Sequence, residues 1–185
     1  MLLVALTLTA MLAEKSSGSS SDYLEPIAKV PSFTLRDQAD SPYSLNELQG
    51  KIWVADFFLT SCQGACPVMS SNMAKLQSAF KDDDRIRFVS FSVDPEVDTP
   101  SVLAEYSKNH TPNPAQWKFL TGPIAEIHRM AGVDGLKVGV PETPMAHSQR
   151  FVLIDADVTI RGYYDGMDET DVERCAKDIR SLLAN

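Results

Sequence analysis

The stretch Thr60-Ser61-Cys62-Gln63-Gly64-Ala65-Cys66-Pro67 sets two of the chain's three cysteines four residues apart, and the rest of the sequence is arranged around it. An apolar run from Ile52 to Leu59 leads in, with the length and the glycine flanks of a buried strand. Pro67 disfavours helical geometry at Cys66 and suits a first helical position, so Cys66 is expected at the N-cap of a helix over Pro67 to Phe80. Met69, Met73, Leu76 and Phe80 recur there at helical spacing. The positive partial charge of a helix N-terminus lowers a thiol pKa from about 8.5. Both sulfurs are therefore expected to be exposed and readily ionised, open to redox chemistry, to a soft metal, or to both.

Working outward, strands alternate with helices. Folded structure is expected from Ile27, with a short strand at Ser32-Phe33-Thr34-Leu35, a partner at Tyr43-Ser44-Leu45 and a turn at Gln49-Gly50. Beyond the cysteine helix, Lys81-Asp82-Asp83-Asp84 is a charged connection, and Ile86 to Val93 is a second apolar strand ending at Asp94-Pro95. Thr99 before Pro100 marks a helix start, an N-cap residue followed by proline at the first position. That helix is expected to reach Asn109 with Val102, Leu103 and Tyr106 inward. Trp117 to Leu120 reads as a strand, and Ile124, Ile127 and Ala131 mark a helix closed by Gly132.

From Gly132 to Ser148 there are three glycines, two prolines and no periodicity, and His147 stands near its end. Loops of this length in compact domains are usually functional or disordered. Arg150 to Ile154 and Val158 to Tyr163, joined by Asp155-Ala156-Asp157, predict a β-hairpin, and Val172, Cys175, Ile179 and Leu182 stripe a last helix. The pattern predicts an α/β, thioredoxin-like fold: a central mixed β-sheet flanked by helices, with an N-terminal β extension.

A chain of 185 residues with 23% charged residues fits one soluble domain with a tail. Its formal charge of −8 argues against nucleic acid or an anionic membrane as partner, since both reward Lys/Arg patches. Met1 to Ala13 is almost wholly apolar. At about 1.5 Å per residue it spans roughly 20 Å as a helix, short of a bilayer core of about 30 Å. Residues 1–26 are thus expected to be a signal-like or anchor segment plus a Ser/Gly-rich linker, and 27–185 the folded domain. Export to the cell envelope is expected, on the periplasmic side of a bacterium, with the mitochondrial intermembrane space as the alternative.

A disulfide across Cys62 and Cys66 would close too short a loop to restrain the unfolded chain strongly, so the pair reads as functional rather than as a staple. Redox enzymes of the thioredoxin type carry two residues between their cysteines and a proline before the facing strand. Here there are three residues between, and His147-Ser148-Gln149-Arg150 precedes that strand. Two thiolates and one neutral imidazole form a soft set that suits Cu(I), whereas zinc prefers a fourth ligand. His110, His128, Met69, Met145 and Cys175 read as surface or packing residues, and Asp94 and Asp98 as turn and capping residues, with partner docking as a second reading of that acidic turn.

Phe57-Phe58-Leu59-Thr60-Ser61-Cys62, with Cys66-Pro67-Val68-Met69 after it, resembles the signature of the Sco/SenC proteins. So do the stretch Val89 to Pro100, His147-Ser148 leading into Phe151-Val152-Leu153-Ile154-Asp155, and Arg161-Gly162-Tyr163-Tyr164. The resemblance runs in order over roughly residues 28 to 184. It implies copper held by Cys62, Cys66 and His147, as Cu(I) with Cu(II) left open, and a role in building the copper site of cytochrome c oxidase. The partners it implies are a copper donor, a copper-receiving subunit or other cuproprotein, and a thiol reductant. The competing expectation is a thiol–disulfide oxidoreductase that needs the cysteines alone.

Overall fold

A computed structural model of the chain describes residues 24–111, 113–139 and 148–184. Eight strands form one mixed sheet: β1 (Ala28–Lys29), β2 (Thr34–Asp37), β3 (Pro42–Ser44), β4 (Ile52–Phe58), β5 (Ile86–Ser92), β6 (Trp117–Thr121), β7 (Arg150–Ile154) and β8 (Thr159–Asp165). The helices are α1 (Ala65–Ala79), α2 (Pro100–His110), α3 (Ile124–Ala131) and α4 (Glu169–Ala184), with a 3-10 turn at Leu45–Leu48. Across the sheet the order is β1-β8-β7-β4-β5-β6-β2-β3. Only β4–β5 and β5–β6 pair in parallel, Asp56 lying opposite Ser90, and every other pair is antiparallel.

Strand β4 is buried at all seven positions because both of its faces are covered. Val54 and Phe58 face one layer, where Cys66, Met69, Met73 and Leu76 of α1, Leu103 of α2 and Cys175 and Ile179 of α4 close over them. Trp53, Ala55 and Phe57 face the other, against Ile127 and Met130 of α3 and Phe33 and Leu35 from the N-terminal strands. Each large side chain of this kind contributes about 1.5–3 kcal/mol by leaving water, and the cysteine loop starts where this doubly covered strand ends.

Several expectations hold closely: the Ile124–Ala131 helix, the Thr99-Pro100 start and the closing hairpin are found, the last with a bulge between Leu153 and Ile154. Others need correction. The first hairpin is displaced to Thr34–Asp37 and Pro42–Ser44, and Ala28–Lys29 adds an edge strand against β8 that its length of two residues kept below any sequence signal. Helix α1 begins at Ala65 and is capped by Gly64, so Cys66 is inside the first turn, with Pro67 where a missing N–H costs no helical hydrogen bond. Val102, expected inward, is 36% exposed, as is Ile124 at 43%. Among the described residues no helix is long and apolar enough to cross a membrane.

Candidate metal and thiol centre

The loop between β4 and α1 is pinned at both ends. Phe58 C=O accepts the Val93 N–H at 2.9 Å, tying the last residue of β4 to the end of β5, and Leu59 C=O accepts the Cys62 N–H at 3.3 Å. Thr60 is held by the buried Asp98, whose Oδ2 accepts the Thr60 N–H at 3.2 Å and the Ser92 hydroxyl at 2.5 Å, while Oδ1 accepts the Thr60 hydroxyl. Ser92 Oγ in turn accepts the Asp94 N–H at 3.1 Å. Asp98 therefore fastens the cysteine loop to β5 and to the entrance of α2. It read as a turn residue because its main partner lies 38 positions away.

Both sulfurs of the loop are thiols, with no disulfide joining them. Cys62 is half-buried and Cys66 is only 1% exposed, which corrects the expectation of two accessible sulfurs. Their acidities diverge accordingly. Desolvation opposes ionisation at Cys62, but hydrogen bonds from the N–H and side chain of Cys66 and from the N–H groups of Gly64 and Ala65 outweigh it and hold the thiol below its ordinary pKa. The Gly64 contact is 3.4 Å. These amides belong to the N-cap and first turn of α1, so the helix N-terminus acts on Cys62 rather than on both sulfurs. Burial pushes the Cys66 thiol up to about 12; a backbone hydrogen bond at Leu59 works against this, and the neighbouring Cys62 and Asp56 add to it.

Asp56 carried no sequence signal beyond being one acid in an apolar strand. It lies on the face of β4 shared with Val54 and Phe58, is 1% exposed, and its Oδ1 has no hydrogen-bond partner among the described residues. Burial pushes its carboxyl up to about 7, against a hydrogen bond from Ser90. The Ser90 hydroxyl accepts the Trp117 indole N–H at 2.9 Å, which leaves its own proton to donate to Asp56.

The other candidates separate cleanly. Cys175 is fully buried in the α4 layer, as expected of a core cysteine. Met69 is buried beneath the loop, His128 is exposed on α3, and His110 stacks against Tyr106 with ring centroids 4.2 Å apart. Residues His147 and Met145 lie outside the described residues. Among the described residues no group of three His, Cys, Asp or Glu side chains is arranged to hold a metal ion. The sulfur pair by itself supplies two soft donors. A hollow of about 330 Å³ under α3 is lined by Phe57, Val93, Ile127 and Val138 and carries no sulfur, so it is unsuited to soft-metal chemistry.

Comparison with known proteins places this geometry. The SCO1/SenC family model matches residues 21–184. The crystal structure of a SCO1/SenC family lipoprotein from Bacillus anthracis is 34% identical, covering 86% of this chain and 98% of its own, with a TM-score of 0.77. BsSco, a member of the Sco family of cytochrome c oxidase assembly proteins in which a disulfide switch has been identified, is 32% identical over 88% of this chain and 98% of its own, with a TM-score of 0.74. The structure of ScoI from Bradyrhizobium japonicum with copper bound is 25% identical over 84% and 99%, with a TM-score of 0.67. The α/β, thioredoxin-like fold expected from the sequence is the fold these structures share with it. With a family model spanning nearly all of the described residues and solved relatives matched over almost their whole length, this chain belongs to the SCO1/SenC family.

Proposed function

We propose that this protein is a copper metallochaperone that binds Cu(I) through Cys62, Cys66 and His147 and passes it to the copper site of cytochrome c oxidase or of a similar cuproprotein. The observation that carries the reading is the thiol pair at the β4–α1 junction, one sulfur half-buried with a lowered pKa and the other seated in the core layer. Two thiolates favour a soft cation, and Cu(I) accepts a third, imidazole donor. His147 supplies that donor in this reading. The copper bound in the related ScoI supports it.

Metal binding needs both sulfurs deprotonated, so loading releases their protons to solvent. A three-coordinate site leaves room for an incoming partner thiolate or imidazole, and copper passes by exchange of one ligand at a time. Oxidation of the two thiols to a disulfide, with two electrons passing to an external oxidant and two protons to solvent, removes the sulfur ligands; a thiol reductant restores them. The disulfide switch of BsSco is consistent with such control. Residues 1–26 serve as leader or tether to the envelope in this account, and they hold no cysteine on which a lipid could be carried. A thiol–disulfide oxidoreductase would need the sulfurs alone, and the copper-bound relative weighs against it.

X-ray absorption at the copper edge of anaerobically loaded protein tests the ligand set. Two sulfurs and one nitrogen are expected, with the nitrogen lost in His147→Ala; a sulfur-only shell in the parent protein would remove His147 from the site.

A further inference from the structure

Because β4, β5 and β6 run parallel, their C-terminal ends open on one end of the sheet, and α1, α2 and α3 all start there. That end carries the cysteine loop. It also carries most of the large apolar side chains that the fold leaves in water. Six are exposed among the described residues, and four of them, Val68 (42%), Val97 (51%), Val102 (36%) and Ile124 (43%), belong to the first turns of these helices or the loop before α2. Exposed aliphatics gathered at one end, beside a reactive sulfur, mark a contact surface rather than the scattered singles of an ordinary exterior.

Charge at this end is one-sided. Residues 59–68, 93–103 and 121–125 contain no lysine or arginine, while Asp94 and Glu96 lie among them without an ion-pair partner among the described residues. Two shallow hollows flank the strand ends. One, of about 480 Å³, is lined by Val93, Asp94, Glu96 and Ile124; the other, of about 410 Å³, by Thr60, Val102 and Tyr106. A second copy of this chain, at a net charge of −8, or an anionic membrane would be repelled by such a rim. A protein presenting lysine and arginine around an apolar tip would be attracted and steered to the sulfurs.

We propose that the strand-end face formed by Val68, Val97, Val102 and Ile124, edged by Asp94 and Glu96, is the docking surface for a basic protein partner. From the carrier role it takes only that Cys62 must meet another protein. The pairing is weak and salt-dependent, as suits a partner that must leave once exchange is done.

The test uses the metal-free, reduced full chain, so that failure of copper binding and failure of docking are read separately. The probes are a fluorescent, cysteine-free peptide rich in lysine and leucine and its twin with glutamate for lysine, followed by anisotropy. The lysine peptide is expected to bind at least about tenfold more tightly at low salt, the gap closing as the screening length falls to about 10 Å near 0.1 M. Asp94→Lys with Glu96→Lys should abolish that preference. Asp82→Lys with Asp84→Lys, the same change of charge at the opposite end of the sheet, should preserve it. Val97→Ser with Val102→Ser should weaken the lysine peptide at every salt concentration. Equal binding of the two peptides, an opposite-end pair as effective as the strand-end pair, or self-association of the chain through these valines in sedimentation would each overturn the proposal.

Discussion

Asp98 and Thr60, 38 residues apart in the chain, are joined by two hydrogen bonds that place a buried carboxylate directly behind the cysteine loop. Neither partner could be supplied by water at that depth, since Asp98 is fully buried. In Asp98→Asn, an amide NH2 or a single carbonyl must face donors that now have two oxygens. The expected loss is about 1–3 kcal/mol, the cost of leaving a buried donor unsatisfied, measured by urea denaturation. The midpoint potential of the Cys62–Cys66 couple should shift in the same variant, read by glutathione titration of the folded protein. Thr60→Ser keeps both donors and should leave both quantities near the parent values. Unchanged stability and potential in the Asn variant would mean that the clamp does not position the loop.

Asp56 makes stability depend on pH in a direction opposite to that of most acids. Burial raises its folded pKa from the ordinary carboxyl value of 3.8 to about 7. Between those limits the folded protein holds the proton and the unfolded chain does not, so the stabilisation from this group is full below about pH 4 and is lost as pH rises towards 7. His110, held below its ordinary pKa by burial, contributes the opposite slope near neutrality, so the comparison must be with a variant and not with theory. In Asp56→Asn the fall in melting temperature from pH 4.5 to 7 should become shallower than in the parent. Identical slopes would show that Asp56 is ionised throughout.

The two sulfurs should react in sequence. Iodoacetamide is expected to label Cys62 first, its pKa lowered and its sulfur half-buried, with Cys66 slower by at least about tenfold because the thiolate is the nucleophile. Cys175, whose thiol burial also pushes up, should label only on unfolding. Peptide mass spectrometry at timed quenches resolves the three. Equal rates at Cys62 and Cys66 would contradict the asymmetry of the loop.

Much of this was legible in the residues, and the parts that were not share a cause. Periodicity and caps located α3 and the start of α2, because those signals are local. Val102 and Leu103 are neighbours in the first turn of α2, and the helix turns Leu103 into the core and leaves Val102 on its outer side, a rotation that apolar spacing alone does not fix. Pro67 points to Cys66 as the cap, whereas Gly64 takes that place and Cys66 lies in the core. Asp98 and Asp56 matter through partners on other strands, and no local pattern encodes a partner. The edge strand Ala28–Lys29 depends wholly on its pairing with β8.

The carrier role stands or falls on Cu(I) affinity. Reduced protein, titrated anaerobically with Cu(I) against a competing chelator, is expected to bind one equivalent. Cys62→Ser and Cys66→Ser should each abolish competition, and His147→Ala should weaken it by at least about tenfold, roughly the 1.4 kcal/mol that a lost ligand must at minimum represent. Undiminished affinity in His147→Ala, or no binding that outlasts the chelator in the parent chain, would contradict the assignment.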